Sequence, residues 1–282
     1  MSGRFSRSFE LARASFAVVR ADQELLLLPV MSVFALLVIL GSLALPVALL
    51  GGFSAEAANN GNPASMLGAL AFYILSFFVA FFFNTALVGA AMVRMDGGNP
   101  TLGDGLRIAW ARKGRILGYA IIAATVGLIL RALEEKVGWL GDLVVRLIGA
   151  AWAVSTFLVV PVLVTRDVGP LEAVKESATL LRETWGENLI GNFGLGIFFA
   201  VMYVAWVLVC ATALYLSAQT GSFALIAAVA LLGVVVLLVL TALQATMQGV
   251  YAAALYRYAT KSGATPTGFG PDLMQNAFAA KR

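Results

Sequence analysis

The sequence predicts an all-α fold, a polytopic membrane bundle of six transmembrane helices, and two observations carry that reading. Of the 282 residues, 61% are hydrophobic and only 12% charged, with a mean hydropathy of +0.91, whereas a soluble domain carries about 25% charged residues. The apolar residues gather into six runs, 25–50, 64–93, 116–133, 143–164, 188–217 and 222–256. Such runs suit helices that cross a bilayer and far exceed a barrel strand, and a lipid-exposed helix satisfies its backbone hydrogen bonds within itself. The connections between them are too short for a soluble domain, so 1–282 reads as a single transmembrane domain.

The first, third and fifth spans are each preceded by a shorter segment with a pattern of its own. In the first, Phe5, Phe9, Ala12, Phe16 and Val19 recur at spacings of three and four, with arginines largely elsewhere, which predicts an amphipathic helix on the membrane surface. The second opens with Thr101 and Asp104, a capping box, and continues through Leu102, Leu106, Ala109 and Trp110. The third follows Gly169-Pro170 with a stripe of Leu171, Val174, Ala178, Leu181 and Trp185. Phe5, Phe9, Phe16, Trp110, Leu171, Val174, Leu181 and Trp185 are therefore the expected membrane-surface contacts, the tryptophans as headgroup anchors.

The ends of the second, fourth and sixth spans correspond as well. Asn84-Thr85 precedes Arg94, Ser155-Thr156 precedes Arg166, and Thr246 with Gln248 precedes Arg257. The chain thus reads as three units, 5–94, 101–166 and 170–257, each a cytoplasmic amphipathic helix followed by a two-span hairpin, with 258–282 as a flexible cytoplasmic tail.

Charge sets the orientation. Of the 19 Lys and Arg residues, all but Arg131, Lys136 and Arg146 fall on one side of this layout, so the positive-inside rule puts both termini in the cytoplasm. The net charge of +4 is topological and points to anionic headgroups of the inner leaflet, not to nucleic acid. Ala55-Glu56-Ala57 imitates a signal-peptidase site, but the apolar run before it exceeds the roughly 7–15 residues of a signal core, so an uncleaved first span is expected.

The opening Ser8-Phe9-Glu10-Leu11-Ala12-Arg13-Ala14-Ser15, followed by Asp22-Gln23-Glu24-Leu25-Leu26-Leu27-Leu28-Pro29, resembles the start of a family of bacterial and archaeal multi-span membrane proteins of unknown function. In that family an interfacial helix ends in Asp-x-Glu-Leu-Leu and runs into a span with an early proline. The resemblance implies a prokaryotic source and six spans, and it carries no catalytic or binding residue.

Composition narrows the chemistry. With no histidine and a single cysteine, Cys210, the chain has no histidine-ligated haem, HExxH zinc site, histidine triad or intramolecular disulfide. No carboxylate lies mid-span, which disfavours a proton-coupled carrier. The polar groups within spans are Asn84, Thr85, Ser155, Thr156, Asn188, Asn192, Gln244, Thr246 and Gln248. They read either as interhelical hydrogen bonds, at about 0.6–2 kcal/mol each, or as the neutral lining of a pore or cavity. Pro29, Pro46 and Pro161 mark kinks, and Gly114 with Gly118 a close helix crossing. No enzyme, metal or cofactor is expected; the nearest material for catalysis is the acids of 167–187 at the cytoplasmic rim.

Two functions fit. The first is a non-enzymatic, lipid-interacting scaffold or partner-binding subunit of the inner membrane, whose partners are lipids and a protein or second copy of the chain. The second is a channel or facilitator for a neutral or weakly charged small solute. Short outer loops and dry spans favour the first.

Overall fold

The computed structural model describes residues 13, 15–16, 20, 23–49, 63–185 and 194–260, and among these all regular structure is helical. A 3-10 turn, Gln23–Leu26, leads into α1 (Leu27–Leu49) and α2 (Pro63–Met95). The short α3 (Leu102–Ala111) is followed by α4 (Lys113–Glu134), α5 (Trp139–Ser155) and the short α6 (Val159–Thr165). Then come α7 (Pro170–Trp185), α8 (Gly194–Gln219) and α9 (Phe223–Thr260). Six segments are long and apolar enough to cross a membrane: α1, α2, α4, α5 with α6, α8 and α9. The protein is an all-helical, multi-span membrane protein.

Its core is concentrated at one end of the bundle. Buried residues cluster at the starts of α1 and α4 (Leu28, Ile116, Tyr119) and the finishes of α2, α6 and α9 (Ala86 to Met92, Leu158 to Leu163, Met247 to Tyr256). This is the end that carries Arg94, Arg166 and Arg257. Toward the other end, large apolar side chains such as Phe34, Leu147, Leu216 and Leu231 stand exposed. In water such a surface would be a liability, whereas lipid tails solvate it as well as another leucine would.

The short helices are docked into the packed end. Thr101 and Asp104 form the expected capping box at the start of α3, and a third group joins it: the Glu24 carboxylate accepts from the Leu102 N–H at 3.0 Å. α3 then lies across α2 through small residues. A Cβ added to Gly105 would stand 2.8 Å from the Ala86 carbonyl oxygen, and one on Gly89 would stand 2.8 Å from Ile108 Cγ2. In α7 the buried face is Ala173, Ser177 and Leu181.

Leu181 is thus a core residue, 1% exposed, and corrects the expectation of a headgroup contact; Val174 is half-buried against the same core. The stripe is apolar because it meets protein, and hydrophobic periodicity does not distinguish protein from lipid. Leu171 and Trp110 do face outward, at 64% and 62% exposure, as does Phe16. Phe5, Phe9 and the side chain of Trp185 lie outside the described residues.

The fourth span is not one helix. Its backbone loosens after Ser155, where Phe157 N–H reaches Val154 O and Val159 N–H reaches Thr156 O, both three residues back. The helix restarts as α6 with Pro161 in its first turn, where a missing N–H costs least. The break leaves the Leu158 amide buried, and the fully buried Ser177 hydroxyl of α7 accepts from it at 3.0 Å. The other prolines do less: Pro29 is in the first turn of α1, and Pro46 near its end.

Candidate functional site

A cavity of about 400 Å³ lies between α1, α2, α9 and the break that precedes α6, a size within the roughly 300–1,000 Å³ of small-molecule sites. Asn84 of α2 and Gln248 of α9 both line it, with Ser32 of α1, Pro161 and Thr241. The remaining walls are apolar, Val33, Phe83, Leu87 and Val160 among them, and the described lining holds no ionisable side chain. Gly249 lets α2 and α9 close around it, since a Cβ there would come within 2.6 Å of Leu87 Cδ2 and 3.4 Å of Asn84 Oδ1. Both amides stand about 15 Å in from the arginine-bearing ends of their helices, at 1.5 Å per residue.

The sequence grouped these amides with neighbours that behave differently. Thr85, Thr156 and Thr246 each donate to the carbonyl four residues back, at Phe81, Trp152 and Ala242, and Ser155 does the same to Ala151. Such back-bonding satisfies a hydroxyl within its own helix. Gln244 makes the expected interhelical bond, accepting from the Tyr203 hydroxyl at 2.6 Å. Asn188 and Asn192 lie outside the described residues. Among the described residues the expected lining is therefore reduced to Asn84 and Gln248, and it gains Ser32, which stood unremarked in an apolar run one turn after Pro29.

Ion pairs tie the elements together at the arginine-bearing end. Arg257 grips Asp96 with both terminal nitrogens, and its side chain is only 14% exposed. A glycine cap places Asp96: Gly97 takes φ +84°, and Gly97 and Gly98 N–H groups return to the carbonyls of Arg94 and Val93. Arg166 pairs with Glu176 of α7 at 2.7 Å and lies near the Tyr256 hydroxyl, itself bonded to Thr165 at 2.7 Å. Arg112, at 3.0 Å, and Arg115 both engage Asp167.

The side-chain hydrogen bond and charge of Arg115 hold Asp167 below the ordinary carboxylate range, as the Thr101 backbone and side-chain hydrogen bonds do for Asp104. Both stay ionised to lower pH than usual. What they contribute to stability is present above their unfolded values and lost only as pH falls through the depressed ones. Asp167 and Glu176, which belong to the acids of 167–187 that were the nearest material for catalysis, are thus engaged by arginine. At the opposite end Arg131 pairs with Glu135 and Arg146 with Asp142, each one helical turn away.

Family comparison turns on this same part of the chain. Residues 64–268 match the family of unknown function DUF6159. The chain belongs to this family. The DUF6159 match takes in Asn84, the break in the fourth span, Ser177 and Gln248, and stops short of α1 and the opening motif with its Asp-x-Glu-Leu-Leu. No curated protein matches the chain. DUF6159 membership assigns no activity, so the site rests on geometry alone.

Sequence reasoning missed Ser177 although the signal was there. It stands three residues after Val174 and four before Leu181, on the apolar stripe, where a hydroxyl needs a partner.

Proposed function

We propose that the protein is a non-enzymatic, lipid-interacting scaffold of the cell membrane, with both termini and the arginine-rich end in the cytoplasm and with three units each built from a short amphipathic helix and a two-span hairpin. The observation that carries this reading is the fate of the polar side chains within the spans. Thr85, Ser155, Thr156 and Thr246 turn back onto their own helices and Gln244 onto Tyr203, which leaves no continuous polar file across the bundle among the described residues. Packing at the cytoplasmic end, with α3 and α7 bonded into the spans, favours a rigid platform. Exposed Lys113, Lys175 and Arg182 supply it with contacts to anionic headgroups or to a protein partner.

One observation favours the alternative, a facilitator for a neutral solute: Asn84 and Gln248 meet in a cavity. Reconstitution decides between them. Liposomes holding the protein are expected to show no conductance or solute swelling above empty vesicles. Flux abolished by Gln248→Leu in protein that still folds would make the scaffold reading wrong.

Orientation has its own test. In a Cys210→Ala background, a cysteine at Lys175 should be shielded from an impermeant thiol reagent in intact cells, and one at Lys136 should react. The reverse pattern would overturn the cytoplasmic assignment.

A further inference from the structure

Three polar side chains set this cavity apart. Described serine and threonine hydroxyls elsewhere in the spans donate to their own helices, as Ser42, Ser76, Thr125 and Thr212 do. Ser32, Asn84 and Gln248 form no side-chain hydrogen bond with any described residue, and all three line the same cavity. An amide carries two donors and an acceptor, and leaving them unmet in an apolar medium is costly. Several lining residues are themselves exposed, namely Ala80, Thr241, Ala245 and Gln248, and they mark the mouth. All lie well inside α2 and α9, so the mouth opens sideways, at the depth of acyl chains.

We propose that the cavity is a binding site for an uncharged acylglycerol-type lipid, whose hydroxyl and ester oxygens meet Ser32, Asn84 and Gln248 while an acyl chain lies against Val33, Phe83, Leu87 and Val88. A sideways mouth admits a molecule from the bilayer more readily than one from water. Walls without a described ionisable group match an uncharged ligand, because a charged one would be desolvated without compensation. This assignment rests on the lipid-interacting reading and names the ligand class of the site.

The test uses the full chain in phospholipid vesicles containing a trace of diacylglycerol with a photoactivatable acyl chain. Labelling should map to the cavity walls around Val33, Phe83 and Ala245 and should be competed by unlabelled diacylglycerol. Ala245→Trp, which fills the mouth from an exposed position, should lower it about tenfold, and so should Asn84→Leu with Gln248→Leu, which removes two hydrogen-bonding groups. Melting temperatures identify variants that still fold, and the Ala245 variant tests the site should the double variant not fold. Labelling spread evenly over lipid-facing positions such as Leu231 and Val235, uncompeted and unchanged by Ala245→Trp, would overturn the proposal. That outcome in vesicles without flux leaves the scaffold reading standing. Flux with intact cavity labelling would sink the scaffold reading alone.

Discussion

Gly105→Ala is expected to destabilise the protein although alanine is the better helix former. The new methyl would stand 2.8 Å from the Ala86 carbonyl oxygen and 3.4 Å from Ala90 Cβ. The first of these is backbone of a buried helix and has nowhere to move. α3 would have to lift from α2, with the fully buried Ala109 and the half-buried Leu102 and Leu106 beside it. Overpacking of this kind costs about 1–3 kcal/mol, and the bulkier Gly105→Val should cost more. Gly103→Ala is the matched control. It lies in the same helix, its Cβ would meet only Thr101 Oγ1 at 3.7 Å, and the propensity gain should stabilise by up to about 1 kcal/mol. Thermal unfolding in detergent should therefore separate the two substitutions in sign. Equal melting temperatures would mean that α3 does not dock on α2.

Ser177→Ala should have the second large effect, through an atom of another helix. The Leu158 amide exists as an orphan because the fourth span breaks before Pro161, and the buried Ser177 hydroxyl is the acceptor it has. Removing that oxygen leaves a buried donor unmet, at about 1–3 kcal/mol. Thr179→Ala, on an exposed position of the same helix, should change stability by no more than about 0.5 kcal/mol. A melting temperature for Ser177→Ala equal to that of Thr179→Ala would show that the break is held by something else.

Parts of this architecture were readable residue by residue. The capping box of Thr101 and Asp104 is local, its partners being three positions apart, and it forms as expected. Pro161 announced a disturbance in the fourth span, but whether that would be a kink or two separate helices depended on Ser177, far along the chain, being in place to accept from Leu158. Glu24 was visible only as part of a motif; its task, closing the first turn of α3, joins residues far apart in sequence. Among the span polar groups, one class of residue divided into three fates: back-bonded hydroxyls, the Gln244–Tyr203 bond, and the cavity-lining Ser32, Asn84 and Gln248. Side-chain type alone does not separate these, because each depends on what stands opposite.

The sequence by itself determined the solvent of this protein: six apolar runs with almost no charge within them dictate a helical membrane bundle without reference to any contact. Tertiary structure alone decided which faces meet each other. That Leu181 is buried while Leu171 is exposed, that Gly105 and Gly249 are contact points while a Cβ added at Gly114 would meet nothing within 4 Å, and that Asn84 and Gln248 share one cavity were settled only by packing. The physical reason is that lipid is as apolar as a protein interior. Hydropathy places a residue within the membrane, and the choice between lipid and a neighbouring helix is made by shape, small residues and unmet hydrogen bonds.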